Sequence, residues 1–447
     1  MSYCGLKALL MACSGVAALV AATADANAGG LAVREQSAWG QGTSFAGVAA
    51  GGSASALFWN PATMTQIPGL QSNSVLSGIM PYAANSPNVA ASAFGPLGGT
   101  GDSAQDALVP AAYYTWQIRP DLWIGMSVNS PFGLSVKEPG AWAGGGYGAY
   151  WTNLKTYNAT PTVAYRINDW ISIGAGVQVQ YAETTFGFAY NALAPGAQAG
   201  LNGGGWGYGF TAGVTLAPTQ NLTVGLGYRS GINQKLNGAL MLPAIPSPPF
   251  GPSTPGSINA TVNLPDIVTA SVRYRFAPQW TALGTVEWSN WSRIGTVAVL
   301  QPNGAPATAA GSNITLPFQY QDGWFFSGGA EYQWNDRLAV RSGVGFERSP
   351  VTDQVRMPLV PDNDRIWLSA GATYQYSNKI SLDLAYTHVF LKSTSINITQ
   401  ASGNPWFNQV AGSYVGDVSS HVDIVSVGFH YRWDNPAPAP TSTLPHK

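Results

Sequence analysis

The chain has 447 residues, of which only 9% are Asp, Glu, Lys or Arg, while 12% are aromatic and 53 are glycine. A soluble globular domain carries about 25% charged residues, and a formal net charge of −1 leaves no basic surface for nucleic acid. Beyond the N-terminal leader no stretch holds the ~18 consecutive apolar residues of a membrane-crossing helix. Low charge, many aromatics and no such helix together describe strands in lipid, with a secreted soluble β-protein as the competing reading.

Residues 1–28 read as a secretory signal peptide. Lys7 supplies its positive region, Ala8 to Val20 its apolar one, and Ala22-Thr23-Ala24 and Ala26-Asn27-Ala28 offer cleavage sites from 24 to 28. Cys4 and Cys13 both lie in the part removed, so the mature chain has neither disulfide nor thiol. Residues 29–65, ending in Phe58-Trp59-Asn60-Pro61-Ala62, show no strand alternation and only a weak, short helical signal. This compact stretch of Gly, Ala and Ser is expected to plug the structure that follows.

Residues 66–433 contain fourteen strand-like segments: 71–82, 107–119, 121–132, 154–167, 169–183, 206–217, 220–230, 265–276, 279–290, 322–333, 336–347, 364–376, 379–390 and 420–433. The expected fold is all-β, a transmembrane antiparallel barrel of fourteen strands with an N-terminal hatch in its lumen. After the second strand, the connections alternate between very short turns and long loops. Outer-membrane barrels place the short turns in the periplasm and the long loops outside.

Side-chain parity agrees. In the fifth strand Ile171, Ile173, Val177, Val179 and Tyr181 oppose Ser172, Gly174, Gly176, Gln178 and Gln180. In the eleventh, Leu338, Val340, Val344 and Phe346 oppose Arg337, Arg341 and Glu347. An Arg facing lipid near the midplane would cost roughly 2–4 kcal/mol, so the charged parity must face the lumen. The fourteenth strand changes parity between Ile424 and Val425, which implies a bulge near Ile424 or a strand that begins at Val425. Pro161 is expected to perturb the fourth strand, because proline cannot donate to a ladder. Residues 434–447 form a proline-rich tail expected in the periplasm.

An ordered set of segments then carries a resemblance. It runs through Phe58-Trp59-Asn60-Pro61-Ala62, Ser130-Pro131-Phe132-Gly133-Leu134, Ala164-Tyr165-Arg166, Gly227-Tyr228-Arg229-Ser230 and Trp288-Ser289-Asn290-Trp291-Ser292. It ends in Arg341-Ser342-Gly343-Val344-Gly345-Phe346 and Pro361-Asp362-Asn363-Asp364-Arg365-Ile366-Trp367. The chain resembles the outer-membrane long-chain fatty acid transporter family, which includes channels for toluene and related hydrocarbons. The resemblance implies passive, hatch-gated transport without ATP. Solute would be captured among outer loops, pass to a deeper apolar pocket and leave sideways through a gap made by a kink in the third strand.

By that resemblance Asn60, Pro61 and Ala62 match the hatch motif, with Asn60 placed to cap a short helical turn and Pro61 at its first position. Phe186, Phe188, Leu236, Leu240, Met241, Leu242 and Phe250 fall in the third and fourth outer loops and are the candidate entrance for substrate; such loops could also simply pack on each other. Arg166 matches a family arginine and is the candidate headgroup contact, with structural pairing as the other role. Long-chain fatty acids are the first substrate class, hydrocarbons the alternative, and a surface receptor or adhesin a further one. The expected partners are these hydrophobic molecules, outer-membrane lipid and the barrel assembly machinery. The barrel is expected to be monomeric. No catalytic set, metal site or cofactor is expected, since His388, His421, His430 and His446 lack ligand spacing and no serine sits in a nucleophile elbow.

Overall fold

The computed structural model describes residues 30–138, 142–145, 147, 149–189, 198–241, 256–309, 312–409 and 411–434. The expected signal peptide and all but the first residue of the expected tail lie outside these residues. So do Leu242 and Phe250 of the expected entrance.

Among the described residues fourteen antiparallel strands close into one barrel. They are β1 (Leu70–Pro87), β2 (Ala107–Arg119), β3 (Leu122–Asn129 and Gly133–Lys137), β4 (Ala149–Arg166), β5 (Ile171–Ala189) and β6 (Gln198–Thr219). Then come β7 (Leu222–Arg229 and Asn233–Met241), β8 (Gly256–Asn263 and Ile267–Arg275), β9 (Trp280–Ser289 and Thr296–Leu300) and β10 (Thr315–Pro317 and Gly323–Asn335). The last four are β11 (Leu338–Arg348), β12 (Arg365–Gln375), β13 (Ile380–Leu391 and Thr394–Ile398) and β14 (Tyr414–Arg432). Each strand pairs with the next, and β14 closes on β1 from Gln71↔Arg432 to Pro87↔Gly416. Closure leaves no sheet edge, the condition for a strand wall in lipid.

Parity sorts side chains between lipid and lumen as the sequence implies. Val177, Val272, Val344 and Leu384 are exposed on the outer wall, while Gln178, Gln180, Ser271, Arg341 and Asp383 are buried inside. The fourteenth strand is a correction. Its register against β1 runs without a bulge, and Val422 and Ile424 point into the lumen, packing with Val33, Val75 and Ile79. Outward parity therefore continues through Asp423 and His421, and the apolar pair belongs to an interior contact. Pro161 leaves a local vacancy in the β4–β5 ladder, between Ala159↔Val179 and Thr162↔Gly176, without shifting the register.

Inside the wall lies the segment from Gly30 to Ile67, buried almost throughout. It has one short α-helix, Ala38–Gln41, capped by the Ser37 side chain, and 3-10 turns that end in Pro61–Gln66. Its backbone comes so close to the wall that side chains are excluded there. A methyl group at Gly225 would sit 1.8 Å from the Ala49 carbonyl oxygen, at Gly227 1.8 Å from that of Trp59, and at Gly343 2.1 Å from that of Thr43. The inward glycines of β7 and β11 are thus a seat cut to the shape of the segment.

Gly227→Val should displace residues near Trp59 while the barrel persists, seen as heat-modifiable gel migration with faster amide exchange at Trp59 to Thr63. Gly328→Ala, whose methyl would meet nothing within 4 Å, should leave exchange unchanged. Unaltered exchange in Gly227→Val would refute the close seating.

Candidate functional site

The ladder between β2 and β3 is incomplete. It runs from Arg119↔Leu122 to Ala112↔Val128 and then stops. The two strands meet again only where Lys137 donates to the Ser103 carbonyl at 2.9 Å and Ala104 bridges Val136. Between these points β3 itself is interrupted at Ser130, Pro131 and Phe132. Pro110 and Pro131, one on each strand bordering the opening, lack the amide hydrogen a ladder needs.

The free edge of β3 is taken up from inside. Val33 donates to the Pro131 carbonyl at 2.9 Å, Gly133 donates to the Leu31 carbonyl at 3.0 Å, and Ala32 bridges Phe132 in antiparallel sense. Residues 31–33 thus act as a short strap on the interrupted wall.

Two cavities meet this strap. The first, about 770 Å³, is lined by Leu31, Leu154, Phe186, Leu236, Val299 and Phe318 among others, and no charged residue lines it. The second, about 630 Å³, includes Ala32, Val33, Arg34, Pro131, Phe132 and Arg229. Leu31 borders one and its two successors the other. Phe132 meets the Trp291 ring edge-on at 6.0 Å and shares an apolar cluster with Leu31, Ile232 and Leu264.

Charges anchor the strap at both ends. The Asp362 carboxylate accepts from the Gly30 amide at 2.9 Å and from the Ser349 hydroxyl at 2.7 Å, and pairs with Arg365. Arg34 pairs with Glu287 at 2.8 Å and Glu347 at 3.5 Å, and stacks over Phe325 at 3.9 Å. Breaking a buried pair by removing one partner costs roughly 3–5 kcal/mol. The next residue, Glu35, is buried with its Oε2 unpartnered among the described residues. Burial pushes its carboxyl up to about 7; Arg34 and Arg365 oppose the shift and Glu347 adds to it.

The residues singled out in the sequence occupy several places. Asn60 caps Pro61–Gln66, accepting from the Ala62 amide at 3.0 Å, and its Nδ2 donates to the Ala49 carbonyl at 2.7 Å and the Val214 carbonyl at 2.9 Å. Pro61 and Ala62 are buried beside Gly174 of β5. Arg166 lies at the short-turn end of β4, donates to the Thr65 carbonyl and stacks over Trp123 at 4.8 Å. It lines neither cavity described above.

Phe186, Leu236, Leu240 and Met241 are not on loops, which corrects the expectation from the sequence. The wall extends past the expected strand ends, placing Phe186 on β5 and the other three on β7. Phe186 and Leu236 line the first cavity, Leu240 packs beside it with Leu201 and Ile258, and Met241 is exposed. Phe188 is also on β5. Sequence reasoning missed the strap and Arg34. The signal available was a proline inside an expected strand, Pro131, beside an unpatterned segment able to supply a replacement edge.

The sequence profile of the family described as "Outer membrane protein transport protein (OMPP1/FadL/TodX)" matches residues 18–433. The chain belongs to this family. The "Long-chain fatty acid transport protein" of Salmonella typhi is 31% identical over 66% of this chain and 72% of its own length. A solved Pseudomonas aeruginosa FadL homologue superposes with a TM-score of 0.79 at 21% identity, covering 91% of this chain and 100% of that one. The Ralstonia pickettii toluene transporter TbuX superposes with a TM-score of 0.64 at 16% identity, covering 88% of this chain and 98% of that one. The likeness to these two structures is one of fold. This FadL/TodX-type chain is a β-barrel of the bacterial outer membrane, a transport channel for hydrophobic small molecules and not an enzyme.

The Glu35 carboxyl binds its proton more tightly in the folded state than in the unfolded one. Its contribution is therefore fully present below the unfolded value near 4 and is lost as pH rises through about 7. Over that window, amide exchange of residues 31–37 should report a loss of about 3 kcal/mol in opening free energy. Glu35→Gln should flatten the dependence, and a wild type with no pH dependence would contradict the assignment.

Proposed function

We propose that residues 29–65 are a hatch within a barrel of residues 66–433, and that hydrophobic solutes pass it by lateral release between β2 and β3. Solute enters the first cavity from the long-loop side. There it gains about 0.8 kcal/mol for each CH₂ removed from water. Displacement of the strap at residues 31–33 joins the two cavities and uncovers the unpaired edge of β3. The solute then leaves into lipid without crossing the periplasmic end of the lumen, where the rest of the hatch stays seated. The carrying observation is the uncharged cavity that abuts a strap bound only through the edge of an interrupted strand. The channel works as a monomer, since one barrel contains the whole path, and reaches the membrane through the barrel assembly machinery.

Hydrocarbons are the substrate class we favour. An entrance cavity whose lining carries no charge suits an apolar solute, and solved relatives of the same fold include a toluene transporter. Long-chain fatty acids are the second reading, which rests on Arg229 and on the curated relatives. Arg229 lines the second cavity, stacks over Phe58 at 4.2 Å and donates to the Phe58 carbonyl at 3.1 Å and Gln178 Oε1 at 2.5 Å. It has no carboxylate partner among the described residues, so a solute carboxylate could pair with it. Arg166, engaged with Thr65, is set aside for that role in favour of Arg229.

Cells lacking their own hydrophobic channels, with this barrel inserted, should take up labelled toluene, and labelled oleate more slowly. Leu236→Gln with Leu240→Gln should lower both at least tenfold, whereas Met241→Gln, on the exposed face, should change neither by more than twofold. Uptake of neither solute by a properly inserted wild-type barrel would overturn the proposal.

A further inference from the structure

A row of side-chain amides crosses the inner wall between the two cavities. Asn129 of β3 stands opposite Asn158 of β4, which stands opposite Gln180 of β5. Asn158 Nδ2 donates to Gln180 Oε1 at 3.3 Å, Gln180 Nε2 donates to Gln234 Oε1 of β7 at 3.1 Å, and Gln234 Nε2 ends the row on the Gly205 carbonyl at 2.6 Å. None of the four is more than 2% exposed. Gln234 lines the first cavity, and Gln178, two residues before Gln180, lines the second. The row therefore divides the apolar path with a polar band.

The band ends without a partner at the wall opening. Both Nδ2 and Oδ1 of Asn129 lack a hydrogen-bond partner among the described residues. So do the nearby hydroxyls of Ser127 and Thr115. Asn129 is the last residue of β3 before the interruption at Ser130 to Phe132. A buried amide left unpaired is destabilising, so this end of the row is complementary to a hydrogen-bonding group arriving from elsewhere. A primary amide offers a donor and an acceptor side by side. It fits a protonated carboxyl through two hydrogen bonds and a hydroxyl through one.

We infer that the Asn129 end of this amide row is a binding site for the polar terminus of an amphiphilic solute, a carboxylic acid or an alcohol with an apolar body. The inference rests on the lateral route proposed above and extends its substrates past pure hydrocarbons. The apolar body occupies the cavities while the terminus pairs with Asn129 at the gap. A hydrocarbon has nothing to offer the row and passes without that contact. Discrimination of this kind is sharp, because buried polar groups built to be paired reject a solute that cannot pair them.

The test uses the full chain in cells without other hydrophobic channels, with labelled oleate and labelled toluene as probes. Asn129→Leu should lower oleate uptake about tenfold and leave toluene uptake within twofold. Asn129→Asp keeps the shape but places an acceptor-only carboxylate at the gap, and should produce the same selective loss if the leucine variant fails to assemble. Equal loss of both probes, or no loss of oleate, would overturn the inference. A wild type that takes up toluene and no oleate would also overturn it while leaving the transport proposal intact. Uptake of neither probe would remove the transport proposal and this inference together.

Discussion

Backbone amides and carbonyls inside a bilayer must find partners within the protein, and this requirement organises the molecule. Thirteen of the fourteen strand interfaces meet it with continuous or nearly continuous ladders. The β2–β3 interface does not, because β3 breaks at Ser130 to Phe132 and two prolines border the break. Residues 31–33 supply the missing edge through two backbone hydrogen bonds. A wall that needs its own N-terminal segment to complete it has coupled closure of the lumen to closure of the wall.

The N-terminal segment is held in two different ways. From Trp39 to Gln66 its backbone lies against inward glycines, and Asn60 and Thr285 tie it to the wall by buried hydrogen bonds. Such close packing tolerates little adjustment. Glu331 adds a charge network here, accepting from Trp39 Nε1 at 3.1 Å while pairing with Arg273 and Arg341. From Gly30 to Glu35 the segment relies on edge hydrogen bonds and on ion pairs to Glu287, Glu347 and Asp362. Buried ion pairs return little net stability, since desolvation offsets attraction. The strap is therefore the part with a small free-energy difference between bound and released, and the remainder is its fixed base.

Much of the barrel was legible in the sequence because lipid enforces a simple rule. Leu384 faces out and Asp383 faces in, and no other arrangement avoids a large cost, so strand number and parity follow from alternation. The rule weakened wherever the lumen is itself apolar. Val422 and Ile424 looked like a register fault because their partners, Val33 and Ile79, belong to an interior packed by a remote segment. Leu236 and Leu240 looked like loop residues because a strand that continues beyond the membrane loses the lipid-facing signal. The β3 interruption was hidden inside an expected strand, since one proline says nothing about which distant residues will replace the lost pairing. The amide row was invisible for a similar reason: Asn129, Asn158, Gln180 and Gln234 come together only through the register of five strands.

The most direct measurement exploits a mature chain that keeps no cysteine once the leader is removed. Ala32 and Phe132 are bridge partners flanked by the two edge hydrogen bonds, a pairing whose Cα atoms lie about 4.5 Å apart and can carry a disulfide. Uptake of labelled toluene would be measured in Ala32→Cys with Phe132→Cys, oxidised and then reduced. The account predicts that the oxidised barrel is closed and that reduction restores transport. Undiminished uptake through the oxidised barrel would show that the strap is not the gate, and the lateral route argued from it would fall.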